Sequence, residues 1–267
     1  MTAPSDFNSI PELDATLVFC VAYDGSSYSG FAEQPGQTTV AGELRRAIET
    51  LLRRPIDLTC AGRTDAGVHA VAQYISVPVT DAELALTRRR WLRAMDALLP
   101  KDIAVYKIVP VVPEAHARFD ATSRTYKYYV TTKKDPFNHE LVYKLPGRLD
   151  FEAMNEACKV LFDYIDFTSF SKLHTDVKTN NCHIQHAGWT QEGDIWVFTI
   201  RADRFLRNMV RAIVGTLLEV GRGRLTIDGF RNVIEAKDRC KAGTSVPGHA
   251  LFLVDVTYPE ELFPVED

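Results

Sequence analysis

No stretch of this 267-residue chain is built to cross a bilayer. The longest apolar run, Leu17 to Ala22, is far short of the roughly 20 residues a membrane helix needs. Met1 to Leu13 is polar and acidic, without the basic start and hydrophobic stretch of a signal peptide. A cytoplasmic location with no membrane partner is therefore expected. Cysteine is sparse and scattered: Cys20, Cys60, Cys158, Cys182 and Cys240 include no Cys-x-x-Cys pair. An odd, dispersed set reads as reduced thiols in or near the core, not as a disulfide framework. Cys182-His183 with His186 is at most half a zinc site, and only His174 lies nearby to complete it, so no metal is expected.

Positive charge is also short. The net charge is −4, which argues against a strong sequence-blind polyanion binder. Its distribution is uneven, however. Residues 1–20 carry three acids and residues 255–267 five, with no Lys or Arg in either stretch; without those eight acids, residues 21–254 stand at +4. Residues 201–231 hold seven arginines against three acids, a local basic surface of the kind that attracts phosphates.

What is present is an ordinary globular composition, 46% hydrophobic and 25% charged, with ample material for a core. Leu17–Ala22 is apolar on both faces and reads as a central buried strand. Thr38 or Thr39 can cap a helix whose Val40, Leu44, Ile48 and Leu51 share a stripe. A short strand leads to a turn at 63–65, and 71–79 reads as the next strand. One helix is expected over 81–99, with Leu84, Trp91, Met95 and Leu98 inward and Pro100 ending it, followed by a strand over 103–112. Pro110, Pro113 and Glu114 mark a boundary, after which the order repeats. Strand 124–131, helix 151–162, paired strands 184–190 and 195–201, and helices 205–220 and 226–236 precede a last strand at 251–257. Two similar strand-and-helix halves suggest an α+β architecture with pseudo-twofold character, although no residue-level repeat is visible. The expected division is an acidic tail (1–14), an N-terminal half (15–113) and a C-terminal half (114–267).

The segment from Ala61 to Ala70, AGRTDAGVHA, places one carboxylate, Asp65, in a glycine-bounded turn two residues after Arg63. Glycines permit a sharp turn and close approach of a substrate, and a nearby guanidinium keeps a carboxylate ionised. Taken alone, the string favours a structural turn in which Asp65 accepts backbone N–H bonds and Arg63 pairs with it at the surface. The wider set is more specific. GRTDAGVHA with Cys60 and Gln73, Tyr23-Asp24-Gly25-Ser26 with Gly30, and Ala117-Arg118-Phe119-Asp120-Ala121 followed by Arg124, Tyr126 and Tyr128 resemble, in the same order, motifs of the tRNA pseudouridine synthase A (TruA) family. Asp166 to Phe170 (DFTSF), Phe205-Leu206 with Met209-Val210-Arg211 and Gly215, and Ala242-Gly243 with Leu251-Phe252-Leu253 extend the resemblance to the last strand.

The resemblance implies the pseudouridine synthase fold, two ferredoxin-like halves sharing a central mixed or antiparallel sheet with a cleft between them. It implies a stand-alone enzyme that isomerises uridine at positions 38 to 40 of the tRNA anticodon stem-loop, acts as a homodimer, and requires no metal or organic cofactor and no DNA. It gives Asp65 the part of nucleophile or base, Arg211 that of its ion-pair partner, Tyr126 that of a stacking surface for the target base, and Arg63 that of extruding the base. On a helical wheel Arg204, Arg207 and Arg211 run along one edge of an apolar stripe, which makes Arg204 and Arg207 candidates for tRNA backbone contact. Arg45, Arg46, Arg53, Arg54, Arg88, Arg89, Arg90 and Arg93 are weaker candidates, and His69 and Tyr128 read as structural. Phe31-Ala32-Glu33 and Asp96 depart from the common pattern of the family.

Two other function classes fit the residues less well. A non-catalytic tRNA-binding or RNA-folding protein would not need Asp65, Tyr126 and Arg211 together. A hydrolase would need a second carboxylate turn to match Asp65, or a nucleophile-elbow context for Ser171, His174 and Asp176.

Overall fold

Leu17–Ala22, apolar on both faces, occupies a sheet interior, and the remaining elements assemble around it. The computed structural model describes Leu13, residues 15–172 and residues 179–263. Most of the acidic N-terminal tail, together with His174 and Asp176 of the zinc and serine arrangements, lies outside them. The first half runs β1 (Ala15–Tyr23), α1 (Val40–Leu52), β2 (Thr59–Cys60), β3 (His69–Val79), α2 (Asp81–Leu84), α3 (Arg88–Leu98) and β4 (Ile103–Val111). Thr39 caps α1 by accepting the Gly42 N–H at 3.3 Å, and the helix buries Val40, Leu44 and Ile48.

The single helix expected over 81–99 is two. Thr80 and Glu83 cap each other reciprocally and close α2 as one short turn. Thr87 then accepts the Arg90 N–H at 3.3 Å and starts α3 afresh, burying Trp91 and Met95.

The second half runs β5 (Ser123–Thr131), β6 (Tyr143–Lys144), α4 (Phe151–Lys159), β7 (Ile184–Glu192), β8 (Ile195–Ala202), α5 (Met209–Gly221), α6 (Ile227–Glu235) and β9 (Leu251–Thr257). Two helices are shorter than expected. The chain tightens into a 3-10 turn over Val160–Asp163 after α4. Helix α5 begins at Met209, not Phe205, because Asn208 adopts a left-handed backbone at φ +66°. Arg204 and Arg207 therefore precede the helix and do not share a helical edge with Arg211.

The nine strands of the described residues form one sheet, ordered β4-β1-β3-β9-β5-β8-β7, with β2 on β3 and β6 on β5. The halves are alike. β1-α1-β2-β3-α3-β4 lies in the order β4-β1-β3-β2, and β5-α4-β7-β8-α5-β9 in the order β9-β5-β8-β7, each a ferredoxin-like unit. A parallel contact joins them, His69 opposite Phe252 and Ala70 opposite Leu253. Strand β3 thus gives one edge to β1 and divides the other, with Ile75 and Ser76 on β2 and His69 and Ala70 on β9. No helix among the described residues is long and apolar enough to cross a membrane.

Because Thr87 starts α3, Thr87→Ala should destabilise the protein by about 1 kcal/mol in urea denaturation. Were residues 81–99 one helix, the same change would leave stability unchanged or raise it, alanine being the better helix former.

Candidate active site

The loop from Ala61 to Val68 leaves β2 and enters β3 where the sheet edge passes from β2 to β9. Its main chain is held at nearly every residue. The Ala61 N–H reaches the Tyr74 carbonyl at 2.8 Å, and the Gln73 amide donates to the Gly62 carbonyl at 2.6 Å. The Phe31 N–H donates to the Thr64 carbonyl at 3.1 Å, and the Thr64 hydroxyl meets that of Tyr23 at 2.8 Å. Gly67, at φ +72°, turns the chain so that the Val68 N–H returns to the Asp65 carbonyl at 3.2 Å. Gly25 presses on the loop from the other side, where a Cβ would stand 2.1 Å from the Val68 carbonyl oxygen. His69, fully buried, fastens this contact: its Nδ1 accepts the Gly25 N–H at 3.0 Å and its Nε2 meets the His249 carbonyl at 2.8 Å. The unusual Phe31-Ala32-Glu33 is absorbed by local packing. Phe31 is buried 6.0 Å from the Tyr23 ring, and Glu33 pairs with Arg45 at 2.7 Å.

On this frame the Asp65 side chain is 22% exposed, and its cations come from the other half of the chain. Arg211 Nη1 lies 3.3 Å from Asp65 Oδ2, and its Nε donates to the Val246 carbonyl at 2.7 Å, so the guanidinium is aimed by main chain. Arg207 Nε lies 3.8 Å from Asp65 Oδ1 while more than half of its side chain faces solvent. Arg63 is exposed and makes no ion pair with Asp65 among the described residues, so the surface pair expected of a structural turn does not form. Arg204 is partly buried, and its own N–H donates to Asp203 Oδ1 at 2.7 Å.

Tyr126 stands against the same loop. It is buried, its ring meets Phe205 edge-on at 5.2 Å, and its hydroxyl is 4.0 Å from where a Gly62 Cβ would be. Burial first, and then the neighbouring Asp65 charge, push its phenol well above the ordinary tyrosine range. Tyr128 is fully buried, its hydroxyl donating to the Pro247 carbonyl at 3.0 Å.

Sequence reasoning missed Arg124. It is 8% exposed, and its guanidinium is spent on main chain. It donates to the carbonyls of Ala61 (2.9 Å), Arg118 (2.6 Å), Ala121 (2.8 Å) and Asp203 (2.8 Å), tying the Asp65 loop to the segment that leads to Arg204 and Arg207. Burial lowers its pKa from the usual arginine value, the expected sign for a desolvated cation. The signal was its place on the same strand face as Tyr126 and Tyr128. An arginine on a buried face needs several acceptors. Of the weaker candidates, Arg46 pairs with Glu43 and Arg54 with Glu83, both at 2.7 Å. Arg53 closes α1 with a left-handed backbone. Arg88, Arg89, Arg90 and Arg93 are exposed on α3, which follows the end of β3 remote from the loop.

Comparison with known proteins adds an independent line. The profile of the family described as tRNA pseudouridine synthase matches residues 19–120 and 157–259. The tRNA pseudouridine synthase A of Parabacteroides distasonis is 78% identical over 248 residues, which cover 92% of this chain and 97% of the relative. The protein of that name in Bacteroides thetaiotaomicron is 60% identical, covering 92% and 91%. The one in Bacillus subtilis is 40% identical, covering 89% and 97%.

The buried phenols predict a pH dependence of stability. Tyr23, Tyr126 and Tyr128 all have raised pKa values, burial being the largest cause in each. In the unfolded chain they ionise near about pH 10. Above that pH the unfolded state has lost protons that the folded state retains, so stability should fall as pH rises through about 10. Urea midpoints measured from about pH 8 to 11 should show this decline, and Tyr126→Phe should make it shallower. A flat profile in wild type would mean that these phenols ionise alike in both states.

Proposed function

The chain belongs to the tRNA pseudouridine synthase family, and on that premise we propose that it isomerises uridine to pseudouridine at positions 38 to 40 of the tRNA anticodon stem-loop. The observation that carries the residue assignment is the Asp65–Arg211 contact at 3.3 Å across the joint between the halves. The reaction breaks the bond between C1′ and the uracil N1, turns the base and forms a bond from C1′ to C5; the C5 proton is released and N1 takes one up. Bonds made and broken balance within one nucleotide.

Asp65 acts as an anion, whether it attacks a sugar carbon or removes the C2′ proton, and Arg211 keeps it ionised when the base excludes water. Arg207, near the same carboxylate and largely exposed, is free to exchange that contact for a tRNA phosphate, and Arg204 offers a second cation beside it. Tyr126 offers its ring for stacking on the uracil, with its phenol held neutral. Arg63, exposed at the loop tip, fills the space that the extruded base leaves. The same reading takes residues 15–113 as the half bearing the aspartate and residues 114–267 as the half bearing the tyrosine and arginine. It also places the enzyme in the cytoplasm as a homodimer whose second copy helps to dock the tRNA.

The test is carbodiimide-blocked primer extension on an unmodified tRNA transcript. Wild type should give new stops in the anticodon arm, Asp65→Asn none, and Arg211→Lys a rate lower by on the order of 10²-fold. Stops outside the anticodon arm would refute the target assignment. No stops with any variant, despite tight tRNA binding, would favour a binding module that does no chemistry.

A further inference from the structure

One turn beside the loop takes no part in the chemistry above, yet it is built to present an aromatic ring. Phe119 is 75% exposed, and its position is fixed by a tight network beneath it. The His116 N–H donates to Asp120 Oδ2 at 2.7 Å, and His116 Nδ1 accepts the N–H groups of Arg118 and Phe119 at 3.2 and 3.3 Å. The His116 ring lies 4.2 Å from the Phe119 ring. Ala117 is pinned on both sides, its N–H to the Ser76 hydroxyl at 3.2 Å and its carbonyl to the Tyr258 hydroxyl at 2.6 Å.

The turn is also tied to the candidate active site. Arg124 Nη2 donates to the carbonyls of both Arg118 and Ala61, so the turn and the Asp65 loop share one buried cation. Arg118, like Arg63 on the loop, is exposed. The Arg118 guanidinium carbon lies 5.7 Å from the Phe119 ring centre. An exposed aromatic ring beside an exposed guanidinium matches a nucleotide with a stacking base and an anionic linkage. A rigid ring also loses little entropy when a base lands on it.

We propose that the His116–Phe119 turn is a second nucleotide subsite, in which an unpaired base flanking the target uridine stacks on Phe119 while Arg118 holds the adjoining phosphate. The proposal rests on the reading that RNA enters this cleft. It assigns the subsite to recognition of the flanking nucleotide, separate from the pocket of the isomerised base.

The experiment uses anticodon stem-loop RNA carrying 2-aminopurine at each unpaired position beside the target, with Asp65→Asn protein to prevent turnover. One position should be quenched on binding, and Phe119→Ala in the same background should abolish that quench. In the otherwise wild-type protein, Phe119→Ala should weaken RNA binding roughly 5- to 100-fold. Phe119→Trp should restore binding, and melting temperatures should stay level because the ring is exposed. Arg118→Gln should lower the salt slope of binding by about one.

An unchanged quench and affinity in Phe119→Ala would overturn the subsite. So would a loss that Trp does not restore and that comes with a lower melting temperature. Wild type that quenches the probe but forms no pseudouridine in the unlabelled RNA would leave the subsite standing and sink the isomerase reading.

Discussion

A carboxylate shielded from water is costly unless a cation lies beside it. In this protein the cation comes from the other half of the chain, with Asp65 and Arg211 separated by 146 positions in sequence. That separation makes the register between the halves a condition of the site. The parallel contact of His69 and Ala70 with Phe252 and Leu253 sets the register at the point where the loop enters β3. His69 adds side-chain bonds to Gly25 and His249, and Arg124 bridges from the second half to Ala61. His69 and Arg124 are buried and bond main-chain partners, and His69 Nδ1 also lies 3.1 Å from the exposed Asp24 carboxylate.

The loop illustrates a division of labour between backbone and side chain. Tyr74, Gln73, Phe31 and Arg124 between them engage the peptide groups of Ala61, Gly62 and Thr64. That leaves the Asp65 carboxylate with guanidiniums as its partners and the Arg63 side chain facing solvent. Such a loop can remain in place while its side chains exchange partners with a substrate, which is the preorganisation that electrostatic catalysis requires.

Local pattern made most of the fold legible. The apolar run at Leu17–Ala22, the Thr39 cap and the alternation of Arg124, Tyr126, Tyr128 and Val130 each report a short-range preference that the packing respects. Misreadings arose where one residue changed the local rule without disturbing the apolar pattern. Thr87 restarts a helix inside a continuous stripe, and the left-handed Asn208 postpones α5 by four residues, taking Arg204 and Arg207 off its surface. For the site, the AGRTDAGVHA string pointed to Asp65, and the motif around Met209-Val210-Arg211 pointed to Arg211. Nothing local could show that Arg207 would meet Asp65, or that Arg124 would spend its charge on four carbonyls. Both depend on segments that meet only after folding.

The two ferredoxin-like units treat one equivalent junction in opposite ways. In the second half β7 passes to β8 through the two-residue turn Gly193-Asp194, and the strands pair along their length. In the first half the corresponding hairpin is held open: β2 pairs with β3 through Thr59 and Cys60 alone, and eight residues intervene before His69. Opening that hairpin leaves the start of β3 with a vacant edge, and β9 occupies it. The unpairing that makes room for the Asp65 loop therefore also creates the seat on which the second half docks. A substitution that zipped β2 further along β3 would compete with β9 for the same backbone groups, and would close the cleft and loosen the joint in a single step.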